Sequence, residues 1–568
     1  MASKTWTAGT VIDSSWLQDV NEHVYAGKSF DTISTINVKD PTYGAKGDGV
    51  TNDTAAIQAA LNSGYKHIYI PAGTYIVTAL TAVALKTVYG AGIGKTILKI
   101  VAGGTTDIIT SSVNDFTLSN MTLDYTGGAG TGRCGLFSGG ANLQLSNIRA
   151  INATGIGLYL YNSPGFRLDN IIVDGAGNWG LLIDGTLTTY GVGSRIHTTN
   201  GADRGLMVRD ASYCSFHQVS GYNNKATAVW FNNCVSCHLI GGEDYLDLFG
   251  DSFVIEGVSI GCSMSDVKAR TSGGHTASVS STGAGAPIDC HFRGVYSEGA
   301  GEAIAAITDQ GTGNRPTNCT ITGVSGKNCG RVTPSEGFGI ANAQGCTISG
   351  YITSTTGTMT YAVNESGATP NNNVFEVFQW VPGIIKPAVN LTLGSAAVGA
   401  TTATAASATF TSGDVGKWFT VGAARALVTQ FNSNTSINIY ITVAFAGTAI
   451  ASGTWGWENY FAITSSTSVI RTPGLLNKIT HVGDTDYFYN PATDGDLLYD
   501  TAALTAARTV YLSKGWPGLR TRVSRPSTGA FNLTVKSGPV NLKALAAATW
   551  TDISYDASNA NLSAYGTL

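Results

Sequence analysis

Gly205-Leu-Met-Val-Arg-Asp-Ala-Ser-Tyr-Cys214-Ser-Phe-His217 is followed, one repeat later, by Ala228-Val-Trp-Phe-Asn-Asn-Cys-Val-Ser-Cys237-His-Leu-Ile240. Each segment reads as a short apolar strand, a polar turn and a second alternating strand. Working outward, leading strands recur roughly every two dozen residues. They begin at Gly135-Leu-Phe, Gly157-Leu-Tyr-Leu and Gly180-Leu-Leu-Ile, and resume with Ser252-Phe-Val-Ile, Ala277-Ser-Val, Ala303-Ile-Ala-Ala, Gly339-Ile-Ala and Tyr361-Ala-Val. Short strands and turn residues at this period, without helical spacing, predict a parallel β-solenoid.

The second strands share one frame: Cys214-Ser-Phe-His, Cys237-His-Leu-Ile, Cys262-Ser-Met-Ser, Cys290-His-Phe-Arg, Cys319-Thr-Ile-Thr and Cys346-Thr-Ile-Ser. Strand side chains alternate, so each Cys and the residue two places on point inward together. The cysteines are expected to stack along the interior as small apolar groups beside Phe216, Leu239, Met264, Phe292, Ile321 and Ile348. Cys234-Val-Ser-Cys237 is a lone pair of cysteines within one repeat, so no metal site and no cofactor is expected.

The chain has 568 residues, 71 of them Gly, 12% charged and with a net charge of −4. Such a balance points away from nucleic acid and from anionic membranes as partners. No apolar run is long enough to span a membrane, and the first residues lack a signal-peptide core, which predicts synthesis in a host cytoplasm. Nine cysteines placed mostly in a core do not indicate a disulfide framework.

Residues 1–37 read as a small separate unit, in which Ser15-Trp-Leu-Gln18 has capping-box spacing and Trp16, Leu17, Val20 and Val24 share a helical face. Asp53 is placed to cap a short helix over 54–62, stopped by Gly64, that closes the open end of the solenoid. The run Tyr43-Gly-Ala-Lys-Gly-Asp-Gly-Val-Thr-Asn-Asp-Thr with Ile70-Pro-Ala-Gly-Thr-Tyr75 resembles the opening of pectate-lyase-like β-helices in bacteriophage tailspikes. Thr5-Trp-Thr-Ala-Gly and Val20-Asn-Glu-His-Val-Tyr25 look like the leader by which such spikes attach to the phage tail. The resemblance implies a right-handed parallel β-helix over 38–382 and a homotrimer. It also implies attachment to a tail or baseplate adaptor through the N-terminus, and residence in the virion tail. Repeats are expected to stop at Trp380-Val-Pro382. A small β domain over 383–460 and a C-terminal β domain over 461–568 should follow. The last is similar to the sandwich-like ends of phage spikes, which hold the trimer together or bind sugar.

Solenoid loops stack in register, so a site can be assembled from successive repeats. The stretch 242–251 carries Glu243, Asp247 and Asp251, the next loop carries His275, and the one after carries Glu298 and Glu302. Loops two repeats apart lie ~10 Å from each other. That suits carboxyl groups ~6.5–9.5 Å apart with a water between them, one protonated for the leaving oxygen and one ionised to activate water. Gly250-Asp251-Ser-Phe-Val-Ile with Gly273-Gly-His275 is similar to polygalacturonase-type β-helices, and implies Asp251 as a catalytic carboxylate beside His275. Ser252 stands where that family carries a second Asp.

A second candidate surface is the outward column Tyr161, Asp184, Arg209, Asn232, Glu256, flanked by Tyr159, Met207 and Trp230. Aromatic faces and polar edges suit a sugar chain lying along the solenoid. The expectation is a tailspike that binds and depolymerises a bacterial surface polysaccharide, capsule or O-antigen, by glycosidic hydrolysis. A polysaccharide lyase acting on uronates and a non-catalytic receptor-binding fibre are the alternatives.

Overall fold

The computed structural model describes residues 35–247, 249–354, 359–367, 371–379, 383–459, 461–462, 468–471, 479–491, 494–499, 503–515, 519–526, 530–556 and 559–567. The capping-box segment expected around Ser15 lies outside them. From Thr35 the chain winds as a parallel solenoid. Four-residue strands such as Leu158–Tyr161, Leu181–Asp184 and Leu206–Arg209 stack into a thirteen-stranded sheet. Longer strands such as Arg167–Asp174 and Ser215–Tyr222 stack into an eighteen-stranded sheet.

The glycines that open many repeats answer to a close approach between successive turns. A Cβ on Gly157 would stand 2.5 Å from the carbonyl oxygen of Gly180, and one on Gly180 would stand 2.8 Å from that of Gly205. Two later leading strands start further along than the repeat predicts, at Ala305–Thr308 and Val363–Ser366.

The second strand of each repeat is not straight. It bends at its middle on a residue with positive φ: Asn120, Asn147, Asn170, Arg195, Gln218 and Gly241 in successive turns. Left-handed backbone suits Asn and Gly best, and Asn adds a ladder. The Asn147 side-chain amide donates to Asn120 Oδ1 at 2.9 Å, and that of Asn170 to Asn147 Oδ1 at 2.8 Å. A bent strand turns a flat sheet into two walls, so each repeat encloses a core with few residues.

That core holds all nine cysteines, each buried and free. Phe216, Leu239, Met264, Phe292, Ile321 and Ile348 are buried beside them as the register requires. Burial pushes the Cys134 thiol up, out of the reactive range. Native protein should therefore react with a thiol reagent at few sites, and denaturant should release most of the nine. Fast native labelling of Cys262 would contradict this packing.

The helix runs over Thr54–Leu61 and buries Ile57, Ala60 and Leu61. Gln58 ties it to the first short strand, donating to Thr81 O at 3.0 Å and accepting the Thr81 N–H at 2.8 Å. Asp53 occupies the N-cap position, but its carboxylate does not cap the helix. It reaches back to the Lys46 and Gly47 N–H groups at 2.7 and 3.0 Å, fixing the glycine-rich turn instead.

The repeats do not end at Pro382. Phe461–Ala462 pairs in parallel with Val363–Ser366, and Val469–Arg471 with Val374–Gln379, so one further turn follows. Residues 383–459 are inserted between turns as an eight-stranded sheet with its own core around Phe419, Trp455 and Trp457. Beyond 479 two facing sheets of five and four strands follow, parallel at first and antiparallel at their ends.

Candidate functional site

Strand pairing places the predicted column in register along the thirteen-stranded sheet. Tyr161 lies opposite Asp184, Asp184 opposite Arg209, Arg209 opposite Asn232, and Asn232 opposite Glu256. The column divides into two functional parts. At Asp184 both oxygens are occupied: Arg209 Nε and Nη2 donate at 2.9 and 2.6 Å, and Tyr159 OH donates at 3.0 Å. Burial and this carboxylate push the Tyr159 phenol up to about 12. Asp184 is buried and engaged, so it positions Arg209 and Tyr159 rather than meeting a sugar itself. Tyr161 stays exposed beside Tyr159, with ring centroids 6.0 Å apart.

At the other end Glu256 accepts from the Asn232 amide at 3.1 Å and from Ser280 Oγ at 3.4 Å. Burial nevertheless pushes its carboxyl above the usual range, and the nearby Asp251 adds to the rise. Glu256 and Asp251 line one open cavity of about 230 Å³ with Trp230, Arg204, Ser280 and Gln310. The Arg204 guanidinium lies over the Trp230 ring at 3.9 Å, and Asp203 holds it at 2.6 Å. The same Asp203 accepts the Trp179 indole N–H at 2.9 Å.

Three of the predicted loop residues meet behind this cavity. The His275 backbone N–H donates to Asp251 Oδ1 at 2.7 Å. His275 Nδ1 accepts the Ala303 N–H at 3.1 Å, and Nε2 faces Glu302 Oε2 at 3.3 Å. That pair of contacts fixes the tautomer with the proton on Nε2. Both ring nitrogens are thus engaged, so the ring holds Glu302 while the backbone N–H orients Asp251, and neither ring nitrogen is free to take a substrate proton.

The remaining loop candidates lie elsewhere. Glu243 falls on the strand His238–Tyr245 and opens onto a different groove, with His197, Tyr222, Tyr245, Lys268 and Arg270. Glu298 follows the same wall and pairs with Lys327 at 3.1 Å, a contact that holds its carboxyl below the usual range. Asp247 is fully buried and cannot touch a polymer on the surface. Its Oδ1 accepts the Asn224 N–H at 2.9 Å, while burial and the neighbouring Asp244 push the carboxyl up. Glu243 and Asp247 thus stand apart from the cavity that Asp251 lines; of the pairing expected between an acid of 242–251 and Glu298 or Glu302, the structure brings Asp251 and Glu302 together through His275.

Sequence reasoning missed Arg204 and Thr227. The signal was the repeat itself, since both occupy the place in their turns that Asp251 holds in the next.

Residues 35–234 match the family model described as rhamnogalacturonase A/epimerase, pectate lyase-like. The match takes in the first part of the parallel β-helix, 200 of the 568 residues of the chain. Mannuronan C5-epimerase AlgE5 of Azotobacter vinelandii is 40% identical over 107 residues, 16% of this chain and 10% of that protein. Alginate lyase 7 of the same organism is 39% identical over 107 residues, 16% of this chain and 12% of that protein. The pre-neck appendage protein of Bacillus phage phi29 is 37% identical over 103 residues, again 16% of this chain and 12% of that one. The chain spans about a tenth of the length of the curated relatives it matches. Among solved structures, the Dettilon tailspike protein aligns over 74% of this chain and 93% of its own, at 12% identity and a TM-score of 0.44. No helix among the described residues is long and apolar enough to cross a membrane.

Proposed function

We propose that the chain is a phage tailspike that binds a bacterial surface polysaccharide in the Trp230 groove and hydrolyses it there. The observation that carries this reading is the pair Glu256 and Asp251 on one open cavity, beside an aromatic ring stacked on a guanidinium. A sugar ring packs on or beside Trp230, while Arg204 and the Asn232 amide supply polar contacts. Glu256, its carboxyl raised by burial, gives its proton to the leaving glycosidic oxygen. Asp251, oriented by the His275 N–H, acts as the ionised partner, drawing a proton from water as it attacks or attacking the anomeric carbon itself. The relatives named epimerase, alginate lyase and phage appendage protein support a glycan ligand and a place on the virion tail. Trimerisation, and tail attachment through residues 1–37, belong to the same proposal.

The test is incubation of purified capsule or O-antigen with the protein, followed by analysis of chain length and chain ends. New reducing ends without the ultraviolet absorbance of a double bond are expected. Double-bond absorbance would mean a lyase, and unchanged polymer size would mean a receptor-binding fibre.

The pH profile gives a further check. Glu256 must be protonated to act, so rate is retained below its pKa and lost as pH rises through it. The alkaline limb of kcat should therefore lie above the ordinary carboxylate value of 4.5. A limb at or below that value would remove Glu256 as the acid. Trp230→Ala should mainly raise KM, by roughly tenfold as expected for one lost stacking contact.

A further inference from the structure

Inside the solenoid, next to the segment that carries Asp251, a group of buried oxygen atoms lacks partners. Asp244, Asp247 and Ser252 are at 1%, 0% and 0% exposure. Both carboxylate oxygens of Asp244, Oδ2 of Asp247 and Oγ of Ser252 make no hydrogen bond. The Asn224 N–H on Asp247 Oδ1, at 2.9 Å, is the hydrogen bond this group does make. Neither carboxyl is influenced by a Lys or Arg; burial and each other are what move them, with Ser252 beside Asp244. Buried polar atoms are nearly always paired, and each orphan costs ~1–3 kcal/mol. Four in one place, around two carboxylates with no basic side chain, is a deficit of positive charge as well as of hydrogen bonds. Ser252 Oγ, equally buried, stands beside Asp244 without closing a hydrogen bond to it, which leaves a third side-chain oxygen aimed into the same spot.

We propose that Asp244, Asp247 and Ser252 hold a hard divalent cation inside the solenoid. The donors are all oxygen, which suits an ion of the Ca²⁺ or Mg²⁺ kind rather than one that favours nitrogen or sulfur. Among the described residues no group of three or more His, Cys, Asp or Glu side chains is placed to bind metal, so the side-chain donors here are two carboxylates and one hydroxyl. The ion ties the strand His238–Tyr245 to the start of Phe253–Glu256, and so braces the intervening turn. This inference does not depend on the polysaccharide reading.

The experiment uses the full chain, desalted and then refolded from denaturant with Ca²⁺ or with a chelator. Elemental analysis should find a single equivalent of a hard divalent cation per native chain, and the thermal midpoint should rise with Ca²⁺ concentration. Asp247→Asn should lose both the bound ion and the Ca²⁺ response. If that variant fails to fold, Ser252→Ala should fold and need roughly tenfold more Ca²⁺ for the same midpoint. Native protein without bound cation, or an Asp247→Asn response equal to wild type, would overturn the proposal. The two carboxyls would then be neutralised by protons.

Discussion

Glu256→Gln is expected to lower the rate of depolymerisation by at least ~100-fold while leaving polymer binding within about tenfold of wild type. The substitution is nearly isosteric, and the amide can still meet the Asn232 and Ser280 side chains that hold the carboxylate at 3.1 and 3.4 Å. Folding is therefore barely touched, and the loss is that of a proton donor. Asp251→Asn should fall in the same class, with an added fault: the His275 N–H at 2.7 Å can meet the NH₂ end of the amide instead of oxygen. Loss of a single hydrogen bond to sugar costs only ~0.5–1.5 kcal/mol, roughly tenfold or less, so the two kinds of role separate cleanly. Glu298→Gln and Glu243→Gln should stay within that smaller range, because both lie on another wall. Steady-state rates with equilibrium binding of an uncleaved oligomer would decide. If both Glu256→Gln and Asp251→Asn keep rates within tenfold of wild type, the Trp230 groove binds but does not cut.

The largest effect on stability is expected at Phe216. Its ring stands between Phe166 and Phe231, with centroids 6.3 and 5.9 Å away, and none of it reaches solvent. Phe216→Ala leaves a cavity that a close-packed stack cannot collapse, at a cost of ~3–5 kcal/mol. Each turn of a solenoid touches only its neighbours, so the damage should be local at first. Hydrogen exchange should accelerate in the turns carrying Phe166, Phe216 and Phe231 before it does near Ile348. Uniform acceleration along the whole chain would show that the solenoid unfolds as one unit.

The outward column was legible because two periodicities locate it. Alternation tells which residues face out, and the repeat tells which of them are neighbours. Tyr161, Asp184, Arg209, Asn232 and Glu256 fall where those two rules put them. The loop carboxylates were not legible in the same way. The bend in the second strand is carried by Asn170, Arg195, Gln218 and Gly241 in turn, residue types with no common signature. Without the bend, 242–251 reads as one polar loop. With it, Glu243 faces out and Asp244 faces in on a strand, and the turn at Leu246, with φ of 66°, carries Asp247 inward. The engagement of Asp184 by Arg209 and Tyr159 was invisible for another reason, since side-chain pairing across turns depends on rotamers that spacing does not encode.

The inserted sheet has a kinetic consequence for the end of the solenoid. The final turn needs Phe461–Ala462 to return beside Val363–Ser366 after the chain leaves the solenoid at Gln379, on the order of 80 residues earlier. Closing a disordered loop of that length costs ~4 kcal/mol of chain entropy. Gly383 and Asn459, however, are paired across neighbouring antiparallel strands. Once the insert has folded, its two ends emerge side by side, and the remaining gap is only a few residues long. The final turn should therefore form late and in a single step, gated by the folding of the insert. Any other unit whose ends lie equally close could replace it without disturbing the winding.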